Sequence, residues 1–482
     1  MNEQLQYVWL LSRRELRDQL RDWRILTPLL VLTIGFPFLM NLVAYYAVDL
    51  TNRYGGDLIV DRLVPFSILT IGFFPITISL LNALESFGGE KERGTIEPLL
   101  SLPLADWQLY LGKLIVGITS PLIASFVSIG IYIFMVSLQG LNMPDAQVFI
   151  QLFLLTIAHA LLMVSAAIVI SVQSTSVKAA NLLASFVIIP ITMLMMGETA
   201  LFINLDNQVL WCAVAAVTIM AGLLVRLGLA HFQREYLLGR DVDVLNFRWM
   251  WNTFWGYFRG GAGSVREWFA ISLSPTLQKL GKPVVVLLVL AVLSIWAGYQ
   301  TSQIYIPQYY SSRGIEAERL DEIRAQLNEN GNLENITGDI TAPELFLHNL
   351  RSTLVIAFMG LFSFSVLGIV LYVINIGLIG VIIALFQLAG YSPGPLLLSG
   401  VVPHGIFEIP ALIISCAAVL HIGLTLVTPQ THRTLGDVML EALADWFKVS
   451  VAVVAPLLVI AAIIETYVTP QLLCRTLELV CP

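Results

Sequence analysis

Apolar runs of about twenty residues recur along this chain with short polar stretches between them, and a run of that length spans a bilayer core as a helix. Spans are expected near residues 25–48, 63–84, 109–138, 148–172, 181–203 and 209–232. A second set follows near 283–299, from about His404 to Val427, and near 449–468. The interruptions carry patterns of their own. In residues 5–24, Leu5, Trp9, Leu16, Leu20 and Trp23 recur at helical spacing among Arg13, Arg14, Glu15, Arg17, Asp18, Arg21 and Asp22, as in a helix lying on a membrane surface. Residues 85–104 form a charged island holding Glu85, Glu90, Lys91, Glu92, Arg93 and Glu97, which must sit in water. The island then turns amphipathic through Ile96, Leu99, Leu100 and Leu102, with Thr95 as N-cap, Pro98 in the first turn and Pro103 as the stop.

These patterns predict an all-α polytopic membrane protein with about 10–11 transmembrane helices in two bundles joined by a cytoplasmic interfacial linker. The expected division is an amphipathic elbow helix at 1–24, a six-helix domain at 25–232, a basic aromatic linker at 233–282 and a second membrane module at 283–482 with an external loop at 300–344. Composition agrees, with 57% hydrophobic residues, 12% charged residues and a mean hydropathy of +0.81. The formal charge of −7 says little, because its meaning depends on which side of the membrane each charge occupies.

Sidedness follows from the arginines. Arg13, Arg14, Arg17, Arg21 and Arg24 border the first span, which puts the N-terminus in the cytoplasm, and no small-residue cleavage site follows it. Two crossings return the chain, so 85–104 is expected on the cytoplasmic side by counting alone. In the linker, Arg234, Arg240, Arg248, Arg259, Arg266, Lys279 and Lys282 interleave with Trp249, Trp251, Trp255, Tyr257 and Phe258, which suits an anionic inner headgroup layer and makes lipid, not nucleic acid, the partner. The 300–344 loop has eight acids against three arginines, consistent with the outer side. Glu316 to Gly331 has helical character there, and Asn335-Ile336-Thr337 matches a glycosylation triplet that arises often by chance.

Several polar residues are expected at membrane depth: Asn82, His159, Gln173, Asn181 and Glu198. Hydrocarbon makes a buried ionisable group costly, so each is a functional candidate. Glu198 is read as a hydrated residue in the turn before the sixth span, and His159 as a helix-packing hydrogen-bond donor. Cys212 and Cys416 lie in apolar runs as packing residues.

The stretch Glu92-Arg93-Gly94-Thr95-Ile96-Glu97-Pro98-Leu99-Leu100, followed by Pro103-Leu104 and Gly112-Lys113-Leu114, resembles the loop after the second helix of type-2 ABC transporter permeases. RRELRDQLRDWRIL at the N-terminus resembles that family's elbow helix. The resemblance implies an exporter permease in the inner (plasma) membrane, with Glu85, Glu92, Arg93, Gly94, Thr95, Glu97 and Leu100 forming a coupling helix on which separate cytoplasmic ABC ATPase subunits dock. It implies a second permease copy or a homologous permease as dimer partner, with ATP and Mg used by the ATPase and no cofactor bound by this chain. The sequence contains no Gly-x-x-x-x-Gly-Lys-Ser/Thr, so nucleotide binding by a P-loop is not expected of it. The alternative is a non-transporting membrane scaffold that recruits or regulates a cell-envelope enzyme through the outer loop and second module.

A second resemblance covers roughly 283–475. Phe346-Leu347-His348-Asn349-Leu350, Asn375-Ile376-Gly377-Leu378-Ile379-Gly380, Pro403-His404-Gly405-Ile406-Phe407-Glu408-Ile409-Pro410-Ala411 and Ile463-Ile464-Glu465-Thr466-Tyr467-Val468-Thr469-Pro470 are similar to the stage II sporulation protein M family. His404 and Glu408 are i,i+4 on one helix face and read as a structural pair. A proton or ligand site, or a metal site completed by His421 or Glu465, are the alternatives; two ligands alone leave a coordination shell incomplete, and no metal and no catalytic residue is expected. An intramembrane hydrolase built on His404 and Glu408 is the remote third reading. Asn349 and Asn375 are expected to bond between helices. Residues 375–389 look short for a crossing and 391–403 could re-enter the membrane, so the sides of the amphipathic stretch 429–448 and of Cys474 and Cys481, which would form a disulfide outside, are left open.

Overall fold

The computed structural model describes residues 3–54, 57–101, 103–140, 143–173, 191–199, 210–232, 247–312, 341–388, 392–428 and 435–477. Among these no strand occurs, and nine helices are long and apolar enough to cross a membrane. The chain divides into two compact units, one of Met1–Leu245 with Val427–Pro429 and one of Asn246–Leu426 with Gln430–Pro482. The described part of the linker, from residue 247 on, thus belongs to the second unit.

In the first unit, α1 (Glu3–Gln19) leads into α2 (Trp23–Tyr54), α3 (Asp57–Glu92), the five-residue α4 (Ile96–Leu100), α5 (Asp106–Leu138), α6 (Ala146–Gln173) and α7 (Leu210–His231). Residues 191–199 are helical as well. A prolyl ring removes one i→i−4 bond, and water cannot replace it at membrane depth. Pro37 of α2 frees the carbonyl of Thr33 in this way, and Ser128 of α5 donates to it at 2.7 Å. Leu11, Leu84, Phe87, Leu109, Tyr110, Val172 and Phe232 share one apolar cluster, so the C-terminal ends of α3, α6 and α7 meet the N-terminal end of α5 at one end of the bundle.

The second unit begins with α8 (Phe247–Arg259), whose chain reverses through Gly260 and Gly261 at φ 60° and 78°, where an L side chain would be strained. The helical turns α9 (Val265–Trp268), Phe269–Leu273 and α10 (Ser274–Lys279) come back over it, with Trp268 Nε1 donating to Phe258 O at 2.6 Å. The core helices are α11 (Gly281–Ser312), α12 (Ala342–Phe362), α13 (Val366–Leu388), α15 (Val402–Leu426), and α16 (Leu435–Val449) continuing through a π turn into α17 (Ala455–Tyr467). The short α14 (Pro393–Gly400) and α18 (Thr469–Leu477) flank α15 and α17 and pack on each other.

Helix direction is readable from contacts. Tyr372 OH donates to Leu287 O at 2.9 Å and Tyr299 OH to Gln387 Oε1 at 2.7 Å, so α11 and α13 run parallel. Small residues let them touch, since a methyl group on Gly380 would fall on Ile295 O and Tyr299 N. α12 and α13 form an antiparallel hairpin, joined by the Asn375 Nδ2 to Ser352 Oγ bond at 3.3 Å and reversed at Phe364 and Ser365, both left-handed at φ 50° and 77°. Two adjacent non-glycine residues in that region cost about 1 kcal/mol each or more. Ser365 meets the cost by donating from Oγ to Val419 O at 2.6 Å, close to Gly423 of α15.

Two expectations change. The segment read as a short run at 375–389 is the second half of a 23-residue helix that begins at Val366, long enough to cross. The amphipathic stretch and the last span, read as separate, form one 32-residue span from Gly436 to Tyr467. Asn375 bonds between helices as expected, whereas Asn349 Nδ2 has no hydrogen-bond partner among the described residues. Glu316 to Gly331 and Asn335-Ile336-Thr337 of the expected external loop lie outside the described residues, as do Asn181, Cys481 and the side chains of Asn82, Gln173 and Cys474.

Candidate functional site

The charged stretch after α3 begins as helix. α3 runs on to Glu92, so Glu85 is an exposed residue within that helix and not part of a loop. Gly94 then adopts φ 68°, and Thr95 N–H donates to Glu90 O at 2.9 Å as the chain turns. The Thr95 hydroxyl points back to the same carbonyl at 3.4 Å. α4 follows, with Ile96 buried in the apolar cluster and Glu97 and Pro98 exposed. Glu92, Arg93, Gly94 and Thr95 are exposed too. Six of the seven residues expected to couple are therefore exposed, five of them clustered over 92–97 around the one buried apolar side chain, Ile96; the side chain of the seventh, Leu100, lies outside the described residues.

What anchors this face is Lys113 of the Gly112-Lys113 motif, whose partners the sequence did not indicate. Lys113 of α5, with 4% of its side chain exposed, sits 2.7 Å from Glu15 of α1 and 2.7 Å from Glu90 of α3, and lies over the Phe87 ring. Burial pushes the Glu15 carboxyl above its ordinary range, Lys113 opposes that shift, and the neighbouring Glu90 charge adds to it. The preceding glycine has its own reason: a Cβ on Gly112 would come within 2.7 Å of Leu11 Cδ2, and Ser12 Oγ donates to Gly112 O at 3.2 Å. Gly112 admits α1 and Lys113 ties it. On the other flank Lys91 Nζ donates to Val172 O at 2.8 Å, and Ser171 Oγ donates to Leu84 O at 2.6 Å, fixing the end of α3 to the end of α6.

Glu198 is not in a hydrated turn. It lies in the helical stretch 191–199 with 3% of its side chain exposed, and its Oε1 is 3.4 Å from Nε2 of His159, which is 2% exposed. His159 Nδ1 meets Leu155 O at 2.9 Å and its ring packs edge-on against Phe73. Burial of a lone carboxylate would be far costlier than burial beside an imidazole, and that accounts for the placement.

In the second unit, ionic residues gather at opposite ends. At one end, Asp445 of α16 accepts from Thr276 at 2.9 Å, Lys279 at 2.9 Å and Lys448 at 2.7 Å, and Lys279 also reaches Glu441 at 3.0 Å. Burial works to lower the Lys279 ammonium, but Asp445 and Glu441 outweigh it and hold the group above the ordinary lysine value. At the other end, His404 and Glu408 near the start of α15 meet Glu465 near the end of α17. One ligand atom from each lies within 4.8 Å of the others. No hydrogen bond joins His404 to Glu408; His404 Nδ1 instead meets Thr469 Oγ1 at 3.2 Å. Of the two partners considered from the sequence, Glu465 joins this group, whereas His421 stands near Lys279, Glu441 and Asp445 at the far end.

The helical composition, the spans and the polar face at the end of α3 define a multi-pass all-α membrane protein of the transporter-permease class. The chain belongs to the ABC-2 transporter family, whose model matches residues 9–299. The stage II sporulation protein M model matches residues 284–470, overlapping the first at α11. Among curated proteins, the chain is 33% identical over 107 residues to a probable ABC transporter permease protein NosY of Pseudomonas aeruginosa, covering 22% of this chain and 37% of that one. It is 32% identical over 109 residues to the protein of the same description from Stutzerimonas stutzeri, with the same shares. An uncharacterized protein of Methanocaldococcus jannaschii matches at 29% over 130 residues, 27% of this chain and 71% of that protein. The chain thus spans 37% of the length of the two permease relatives.

Proposed function

We propose that this chain is the membrane subunit of an ATP-driven exporter in the inner (plasma) membrane, energised by separate cytoplasmic ATPase subunits that dock on residues 85–104. The observation that carries the reading is the exposed face Glu92, Arg93, Thr95 and Glu97, presented on a helix end that Lys113, Lys91 and Ile96 fix to the bundle. A docking element must be both accessible and rigidly tied to the spans it moves, and this one is both. ATP and Mg would be held by the partner, and two permease copies, or this chain with a homologue, would form the translocating pair. Family membership and the two permease relatives support the reading.

The test is copurification of tagged protein with its ATPase in mild detergent, followed by ATPase rates in nanodiscs for Glu97→Ala and Leu100→Asp. Stimulation of the ATPase by the parent chain is expected to fall about tenfold or more in both, because one or two lost interface contacts are worth roughly 1–3 kcal/mol. Unchanged stimulation in both variants would remove the coupling assignment.

A further inference from the structure

We propose that His404, Glu408 and Glu465 bind one divalent transition-metal ion of the zinc type. Three observations converge. Donors from two different helices, α15 and α17, are brought within 4.8 Å of one another at one end of the second unit. Donors sharing a zinc ion stand roughly 3.5 Å apart at bond lengths of about 2.0–2.2 Å, so closure needs side-chain movement on the order of 1 Å. Imidazole with two carboxylates is a set such ions accept.

The second observation is charge. Glu408 and Glu465 are both half-buried, and among the described residues no lysine or arginine forms an ion pair with either. Two adjacent carboxylates away from bulk water need a shared proton or a cation between them. The third is orientation. Thr469 is buried and its hydroxyl meets His404 Nδ1 at 3.2 Å. In the tautomer whose Nδ1–H donates to that hydroxyl, the second ring nitrogen keeps the lone pair a metal requires, which is the usual arrangement around a ligating histidine. Three protein donors leave a coordination position for water or another ligand, so the site is of the open kind.

The experiment uses the full chain in detergent, stripped with EDTA, desalted and dialysed against Zn2+ or Co2+. About one ion per chain is expected, with Co2+ giving visible ligand-field absorption. Glu408→Gln, Glu465→Gln and His404→Asn should each lose the ion, while His421→Asn keeps it. Failure of the stripped parent to take up either metal would mean that the carboxylates share a proton, and would overturn the proposal. Retention of the ion by both glutamine variants would do the same. If a variant aggregates in EDTA, the parent decides: Zn2+ should protect His404 from diethyl pyrocarbonate, read by mass spectrometry, and absence of protection would overturn the site.

Discussion

At the residue scale, Lys113 is the most consequential side chain of the first unit. Removing its charge leaves Glu15 and Glu90 side by side and half-buried without the ammonium that bonds both, and leaving such groups unsatisfied costs about 1–3 kcal/mol. Lys113→Met is therefore expected to lower the thermal stability of the purified chain by that order and to weaken ATPase stimulation although it pairs with Glu90 and not with the exposed Glu92, Arg93, Thr95 or Glu97. The sign of its pH dependence follows from Glu15, whose folded pKa is already raised and rises further without the lysine. A raised acid binds more protons folded than unfolded, so stability falls as pH climbs above the ordinary glutamate value of about 4.3. The deficit of the variant relative to the parent should accordingly widen from pH 4 toward pH 7 (~1 kcal/mol or more) in thermal unfolding, and a deficit independent of pH would assign the lysine a packing role only. The importance of this residue was only half legible in the sequence. Gly112-Lys113 stood out as a motif, but the glutamates it joins lie on α1 and α3, and nothing in local spacing points from one to the other.

At the scale of elements, close helix contacts in the second unit rest on missing side chains. Gly298, Gly377 and Gly380 let α11 and α13 approach until backbone meets backbone. Gly380→Val has nowhere to place its branches except against Ile295 O and Tyr299 N, so overpacking of about 1–3 kcal/mol is expected, together with separation of the two helices. A cysteine pair placed at Tyr299 and Gln387, whose side chains bond in the parent, should crosslink readily there and poorly in the valine variant. Element existence was legible, because apolar runs of membrane length leave little choice of structure. Boundaries were less so: α13 begins at Val366 immediately after a reversal at Phe364 and Ser365 that no glycine or proline marks. Glu198 shows the same limit in another form, since hydropathy put it in a turn while His159, a distant residue, makes its burial tolerable.

At the scale of the whole molecule, the expected topology is a count of crossings. The ends of α6 and α7 share one apolar cluster and so point the same way. In the second unit, α11 and α13 run parallel, and α15 and α17 run antiparallel through His404 and Glu465. On the proposed orientation, with the N-terminus in the cytoplasm, counting crossings makes α4 expected inside and α18 expected outside. In a cysteine-free background, Glu97→Cys should react with a membrane-impermeant maleimide only after the cells are opened, and Arg475→Cys in intact cells. Labelling of both from the same side would break the count. The tandem organisation was expected because each half carries its own motif blocks; the two family models match residues 9–299 and 284–470.

The Lys113 junction has a mechanical corollary. Because a single ammonium is shared by α1, α3 and α5, the ends of three helices have one fulcrum and not three. A push on α4 cannot tilt the second span alone. It must carry along the helix that leads into the first span and the start of the third, so on the proposed coupling a stroke delivered at a five-residue helix would arrive in the bilayer as the rotation of a block.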